Sequence, residues 1–141
     1  MRGLRITLDE VIVKAVLLDD RAPRTCANVW ALLPITDRTI QVRWSGAAWR
    51  TEKNYPLQLG EIENPVTVLR AGDIIYYDDP PRNLFKIGVA YGEAAWRDFA
   101  GDLTVAHIGR ITENLEAFTR VCGRILFEGP KSVHIRRAEG T

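Results

Sequence analysis

Apolar and polar residues alternate at Leu4, Ile6 and Leu8, the period of a strand with one face buried. Residues 11–18 are richer in aliphatic and β-branched side chains and predict a strand buried on both faces. A hairpin turn at Asp9-Glu10 joins the two. The period then becomes helical. Cys26, Val29, Trp30 and Leu33 fall on one face, Pro23 takes the first helical position, and Pro34 stops the element. Asp19 and Asp20 precede it and favour the positive end of its dipole. Further strands are expected over 39–44, 65–69, 73–78, 84–91 and 103–110. Turn chemistry separates them at Ser45-Gly46, Ala71-Gly72-Asp73, Asp79-Pro80-Pro81 and Gly101-Asp102. A second helix is expected from about Glu113 to Cys122, with Thr112 as N-cap, Gly123 just past its end, and Leu115, Phe118 and Cys122 as its buried stripe. Val133 and Ile135 belong to a last strand. Eight short strands and two helices predict a mainly β fold, a closed or nearly closed barrel with helical caps. Trp30 and Trp44 are expected in the core.

Composition narrows the chemistry. A chain of 141 residues reads as one domain, 1–141, large enough to bury a core without staples. A net charge of +1 gives no electrostatic case for nucleic acid or an anionic membrane. The nearest thing to a basic patch is Lys131, His134, Arg136 and Arg137, which reads as a solvated strand edge. Charges interrupt every apolar run in 1–7, and the stretch 11–18 contains Lys14, so neither a signal peptide nor a membrane span is expected. Cys26 and Cys122, each on an apolar helix face, read as isolated buried thiols and place the chain in the cytoplasm. Two histidines and two cysteines, all far apart, offer no metal-ligand spacing, and no glycine-rich phosphate loop occurs. No cofactor is expected.

Certain stretches carry a family resemblance. Ala22-Pro23-Arg24-Thr25 is similar to the Ala-Pro-Lys-Thr opening of the first cyclophilin helix, and Ile108-Gly109-Arg110-Ile111 to the Phe-Gly-Lys-Val that leads into the second. With Gly72-Asp73-Ile74-Ile75-Tyr76-Tyr77, the chain resembles the small bacterial cyclophilin-like proteins of unknown function over about three quarters of its length. The resemblance implies an eight-stranded barrel. It also implies a ligand-binding or accessory role in small-molecule catabolism, as in subunits of 5-oxoprolinase and allophanate-pathway enzymes.

Prolyl isomerisation is the alternative that the resemblance raises. In cyclophilins the catalytic arginine is followed by an aromatic five residues on and a glutamine eight on. Here Arg50 is followed at those spacings by Tyr55 and Gln58, which makes Arg50 and Gln58 the candidate catalytic pair. Trp49 stands where cyclophilins have histidine before the arginine, and the Ser-Gln-Phe-Phe strand has no counterpart in Ile87-Gly88-Val89-Ala90-Tyr91. Isomerase activity is therefore not the expected one. A groove for a small polar metabolite with an apolar body would draw on Trp49, Arg50, Glu52, Tyr55, Tyr76 or Tyr77, Glu93 and Trp96, with His107 as a further candidate. Tyr76 and Tyr77 are adjacent on a strand, so only one can face a given groove. A third reading is a non-catalytic interaction module. Exposed Trp49, Tyr55 and Trp96 would then anchor a homo-oligomer or another partner.

Overall fold

The computed structural model describes residues 1–138. Strands β1 (Gly3–Leu8) and β2 (Val11–Leu17) lead into helix α1 (Pro23–Leu32), then β3 (Ile35–Gln41) and β4 (Gly46–Thr51). Two short strands, β5 (Pro65–Val66) and β6 (Val68–Leu69), precede β7 (Asp73–Asp79) and the long β8 (Leu84–Ala95). A small hairpin, β9 (Arg97–Asp98) and β10 (Gly101–Asp102), is followed by β11 (Val105–Glu113), helix α2 (Leu115–Cys122), a single helical turn α3 (Ile125–Glu128) and β12 (Ser132–Arg137). The large sheet runs β2-β1-β12-β3-β4-β8-β7-β11, and β11 pairs back onto β2. Every pairing is antiparallel, which closes an eight-stranded barrel and leaves the barrel wall without a free edge.

Several expected elements move. The strand expected over 39–44 is the end of β3 followed by the turn into β4, and β3 starts earlier, at Ile35, because the buried Asp37 hides the alternation of Ile35, Asp37 and Thr39. Trp44 consequently sits in the turn, 55% exposed, and is not a core residue. The stretch 65–69 is not a barrel strand: β5 pairs with β11 and β6 with β8. Helix α2 starts at Leu115 behind Asn114 at φ 64°, while Thr112 still belongs to β11. Trp30 is only half-buried, with the guanidinium groups of Arg2 and Arg137 at 5.7 and 4.7 Å from its ring centroid. Two of the basic residues near the C-terminus make contacts that a solvated strand edge would not give them. Lys131 is buried between Asp9 (3.1 Å) and Glu128 (2.6 Å), and Arg137 is drawn onto Trp30.

Two apolar cores result from strand alternation. Inside the barrel lie Leu4, Ile6, Trp49, Ile87, Val89 and Ile108, closed over by Cys26 and Val29 of α1 and by Phe118 and Cys122 of α2. Outside it, Ala48, Ile75, Tyr77 and Ala90 project from the opposite face of β4, β7 and β8 and pack with Val42, Leu69, Trp96 and Val105. These central strands are thus buried on both faces. The barrel wall carries a second layer there, and that layer positions the site.

The N-terminus of α1 is capped from a distance. Ala22 offers no side-chain acceptor, and Asp19 is occupied with the Arg2 amide (2.8 Å). Glu63 instead accepts from the Thr25 amide (2.7 Å) and hydroxyl (2.8 Å) and from the Arg24 amide (3.3 Å). Burial alone would raise the Glu63 carboxyl, but the Thr25 hydrogen bonds outweigh it and hold it below the ordinary range. A depressed carboxylate contributes stability above its unfolded pKa and loses it as pH falls through the folded one. Glu63→Ala is expected to lower stability by about 1 kcal/mol at neutral pH. Urea melts of the two proteins should converge as pH falls below about 4. A gap that persists at pH 2 would assign the loss to packing instead.

Candidate functional site

Alternation along β4 sends Trp49 into the barrel and Arg50 out. Arg50 lies opposite Gly88 of β8. A Cβ on Gly88 would come within 2.8 Å of the Trp96 ring and 3.2 Å of the Trp49 carbonyl, so only glycine allows Trp96 to lie so close to the strand backbone. Tyr77 of β7 packs against Trp96 with ring centroids 5.9 Å apart at 61°, an edge-to-face pair. Val42, Leu84, Tyr77 and Trp96 wall a pocket of about 200 Å³, with Trp44 and Phe99 also lining it.

Its charged groups are three arginines and one aspartate: Arg50, Arg82, Arg97 and Asp98. Arg82 ties Asp98 to Asp79, and Asp79 also accepts the Tyr77 hydroxyl at 2.6 Å. Arg97 pairs with Asp102 at 3.4 Å. Arg50 differs. Its one hydrogen bond runs from Nη1 to the Thr51 carbonyl at 3.1 Å, and no carboxylate among the described residues pairs with it. Burial lowers its pKa. Lys86, itself buried, donates to the Glu52 carbonyl (2.5 Å), and burial and then Arg50 lower its pKa. The Asp37 and Glu52 carboxylates act in the opposite sense on Lys86, which leaves Arg50 as the uncompensated cation at the pocket, a group that favours a bound anion.

The other expected site residues are distributed as follows. Trp96 joins Arg50 in the pocket, and of the adjacent tyrosines it is Tyr77 that faces it. Trp49 is corrected: it is fully enclosed, and its indole N–H donates to Cys122 Sγ at 3.3 Å, so it neither lines a groove nor anchors a partner. Trp96 is likewise too buried to be an exposed anchor. Tyr76 points into the barrel and donates to the Tyr55 carbonyl at 2.7 Å. Tyr55 donates its hydroxyl to Asp37 at 2.5 Å, and Gln58 is exposed on a loop at φ 53°. Neither lines the Arg50 pocket, so the spacing match to the isomerase set does not become a shared cleft. Glu52 is exposed and reaches Arg38 at 3.8 Å. Glu93 borders a shallow depression with Ser45, Val68 and Arg70. His107 Nε2 lies 3.1 Å from Asp73 and 3.0 Å from the Gly109 carbonyl, at a register shift in β11.

The pocket residues not anticipated are Val42, Trp44, Arg82, Leu84, Arg97, Asp98 and Phe99. One signal was present: Phe99 is an aromatic set in the otherwise turn-like run Asp98-Phe99-Ala100-Gly101. Other chemistry is weak. Both thiols are pushed up to about 12 by burial and are not poised as nucleophiles. Among the described residues no three His, Cys, Asp or Glu side chains converge to hold a metal ion, and no helix is long and apolar enough to cross a membrane.

The chain belongs to DUF3830, a family described as proteins of unknown function, whose model matches residues 4–136. A search of curated proteins finds no match. Among solved structures it is similar to McbB in a complex with tryptophan, at 21% identity and a TM-score of 0.76. The match covers 98% of this chain and 45% of that one, so the chain spans less than half of McbB. It is also similar to a hypothetical protein from Archaeoglobus fulgidus, at 22% identity and a TM-score of 0.59, over 97% of this chain and 95% of the other. At these identities the likeness is one of fold.

Proposed function

Family membership assigns no chemistry, so we propose from the pocket itself that the protein binds a small organic carboxylate with an apolar body. The observation that carries this reading is Arg50, a partly buried guanidinium without an acidic partner, set among aromatic walls. A carboxylate would take the guanidinium donors while its body displaces water from Trp96 and Tyr77. A pocket of about 200 Å³ admits a metabolite rather than a peptide. Such a domain would act as a binding or accessory unit for enzymes that process small acids. L-Tryptophan is a natural first probe, since McbB is described in complex with it.

Calorimetry with L-tryptophan and a panel of small carboxylic acids tests the reading. At least one acid is expected to bind, and Arg50→Gln to weaken it by about 10- to 100-fold, the loss of one charge-assisted contact. Arg50→Gln should melt within a few degrees of wild type, because the Arg50 side chain makes only one hydrogen bond among the described residues. Binding that ignores Arg50→Gln would move the site elsewhere.

A further inference from the structure

Trp44 is 55% exposed and Phe99 fully exposed, yet both line the Arg50 pocket. They come from different segments, the turn between β3 and β4 and the tip of the β9–β10 hairpin. Exposed aromatics are unremarkable on loose loops, but these two turns are fastened to each other. Ser45, the residue after Trp44, is buried; its hydroxyl accepts from the Arg97 amide at 3.1 Å, and its carbonyl accepts from the Ala95 amide at 2.8 Å. The hairpin tip is fastened as well. Asp98 accepts the Ala100 and Gly101 amides at 2.7 and 3.2 Å and is held by Arg82. Two large apolar side chains are therefore kept wet on rigid supports at the rim of one pocket. That arrangement is unfavourable in the empty protein and becomes favourable when a ligand surface covers both.

From this we infer that the ligand's body is a planar aromatic ring, with Trp44 and Phe99 as the residues that select it and Arg50 as the group that holds its carboxylate. The inference rests on the proposed carboxylate site and narrows it to aromatic acids. The inner wall already presents an edge-to-face pair in Tyr77 and Trp96. A flat ring entering between that pair and the rim meets π-faces and edges that a puckered ring of equal size cannot match. The pocket, at about 200 Å³, is smaller than most ligand sites, which limits the body to one or two rings. Arg50, the lining arginine not paired with a carboxylate among the described residues, supplies the complementary charge.

Phenylacetate and cyclohexylacetate are a suitable pair of probes, since they share the carboxylate arm and differ in the ring. Wild type is expected to bind phenylacetate about tenfold more tightly. Phe99→Leu and Trp44→Leu, which keep apolar bulk but remove the π-system, should bring that ratio towards one while affinity for cyclohexylacetate changes little. Arg50→Gln should weaken both acids together and leave the ratio intact. Trp44→Phe should also remove part of any ligand-induced change in tryptophan fluorescence. Equal binding of the two acids by wild type, with Arg50 dependence kept, would overturn the ring assignment and spare the carboxylate site. A ratio that survives both leucine variants would overturn the assignment of Trp44 and Phe99. Failure of both acids to bind, or binding indifferent to Arg50→Gln, would overturn the site and this inference with it.

Discussion

Trp49→Ala is expected to destabilise the protein by about 3–5 kcal/mol, the cost of emptying a large aromatic site in a packed core. Trp49 has no solvent exposure, packs at 6.4 Å and 47° against Phe118 of α2, and gives its indole hydrogen to Cys122 of the same helix. It thus joins β4 of the barrel wall to the helix that closes over the interior. Domains of this kind are stable by about 5–15 kcal/mol in all, so such a loss removes a large part of the total. Trp49→Phe should recover most of the packing while giving up the bond to sulfur. Urea unfolding of the three proteins checks this. A deficit below about 1 kcal/mol for Trp49→Ala would mean that the interior is far more adaptable than its burial implies.

Asp37→Ala is the second large effect, at about 3 kcal/mol. The Asp37 carboxylate is buried and accepts from the amides of Arg38 (2.6 Å), Glu52 (2.9 Å) and Lys53 (3.3 Å) and from the Tyr55 hydroxyl (2.5 Å). Hydrogen bonds to a charged acceptor contribute about 1.5–3 kcal/mol each and are not additive, and water can replace the more exposed ones. Burial and the Asp37 contact together raise the Tyr55 pKa. The loop so gathered begins right after β4 and supplies the Glu52 and Lys53 carbonyls that receive Lys86, beside Arg50. Asp37→Ala should therefore lower both stability and carboxylate affinity, whereas Arg50→Gln lowers affinity alone. Asp37→Asn keeps an acceptor for the amides and should lose about half as much. Paired melting and calorimetry would separate these, and an unchanged affinity in Asp37→Ala would detach the loop from the site.

Arg50 stands out in the chain through its spacing to Tyr55 and Gln58, and Trp96 as an aromatic suited to a groove; the structure brings these two to one pocket and leaves Tyr55 and Gln58 out of it. Trp49 shows the limit of that reasoning. Adjacent strand residues face opposite ways, and until β4 is assigned to Gly46–Thr51 nothing says which of Trp49 and Arg50 is inside. The eight-strand count was legible for a partly compensating reason. The region around the expected 39–44 strand holds two strands, β3 and β4, on either side of a turn, while 65–69 is counted although it lies off the barrel. Trp44 is expected in the core because it ends the 39–44 strand, and its exposure follows from the turn that a strand pattern cannot locate.

What the sequence alone determined was local in origin: the alternation of β1, the apolar runs of β7 and β8, the proline-bounded α1, the turns at Asp9, Gly72 and Asp79, and the burial of both cysteines. Each follows from interactions between residues close in the chain or from a period repeated over a few positions. Barrel closure through β11 on β2, the remote cap of α1 by Glu63, and the meeting of Arg50, Tyr77, Trp96 and Phe99 around one pocket were decided only by the tertiary structure. Those depend on strand register and on contacts across tens of residues, and a one-residue change of register would turn Arg50 and Tyr77 to the other face.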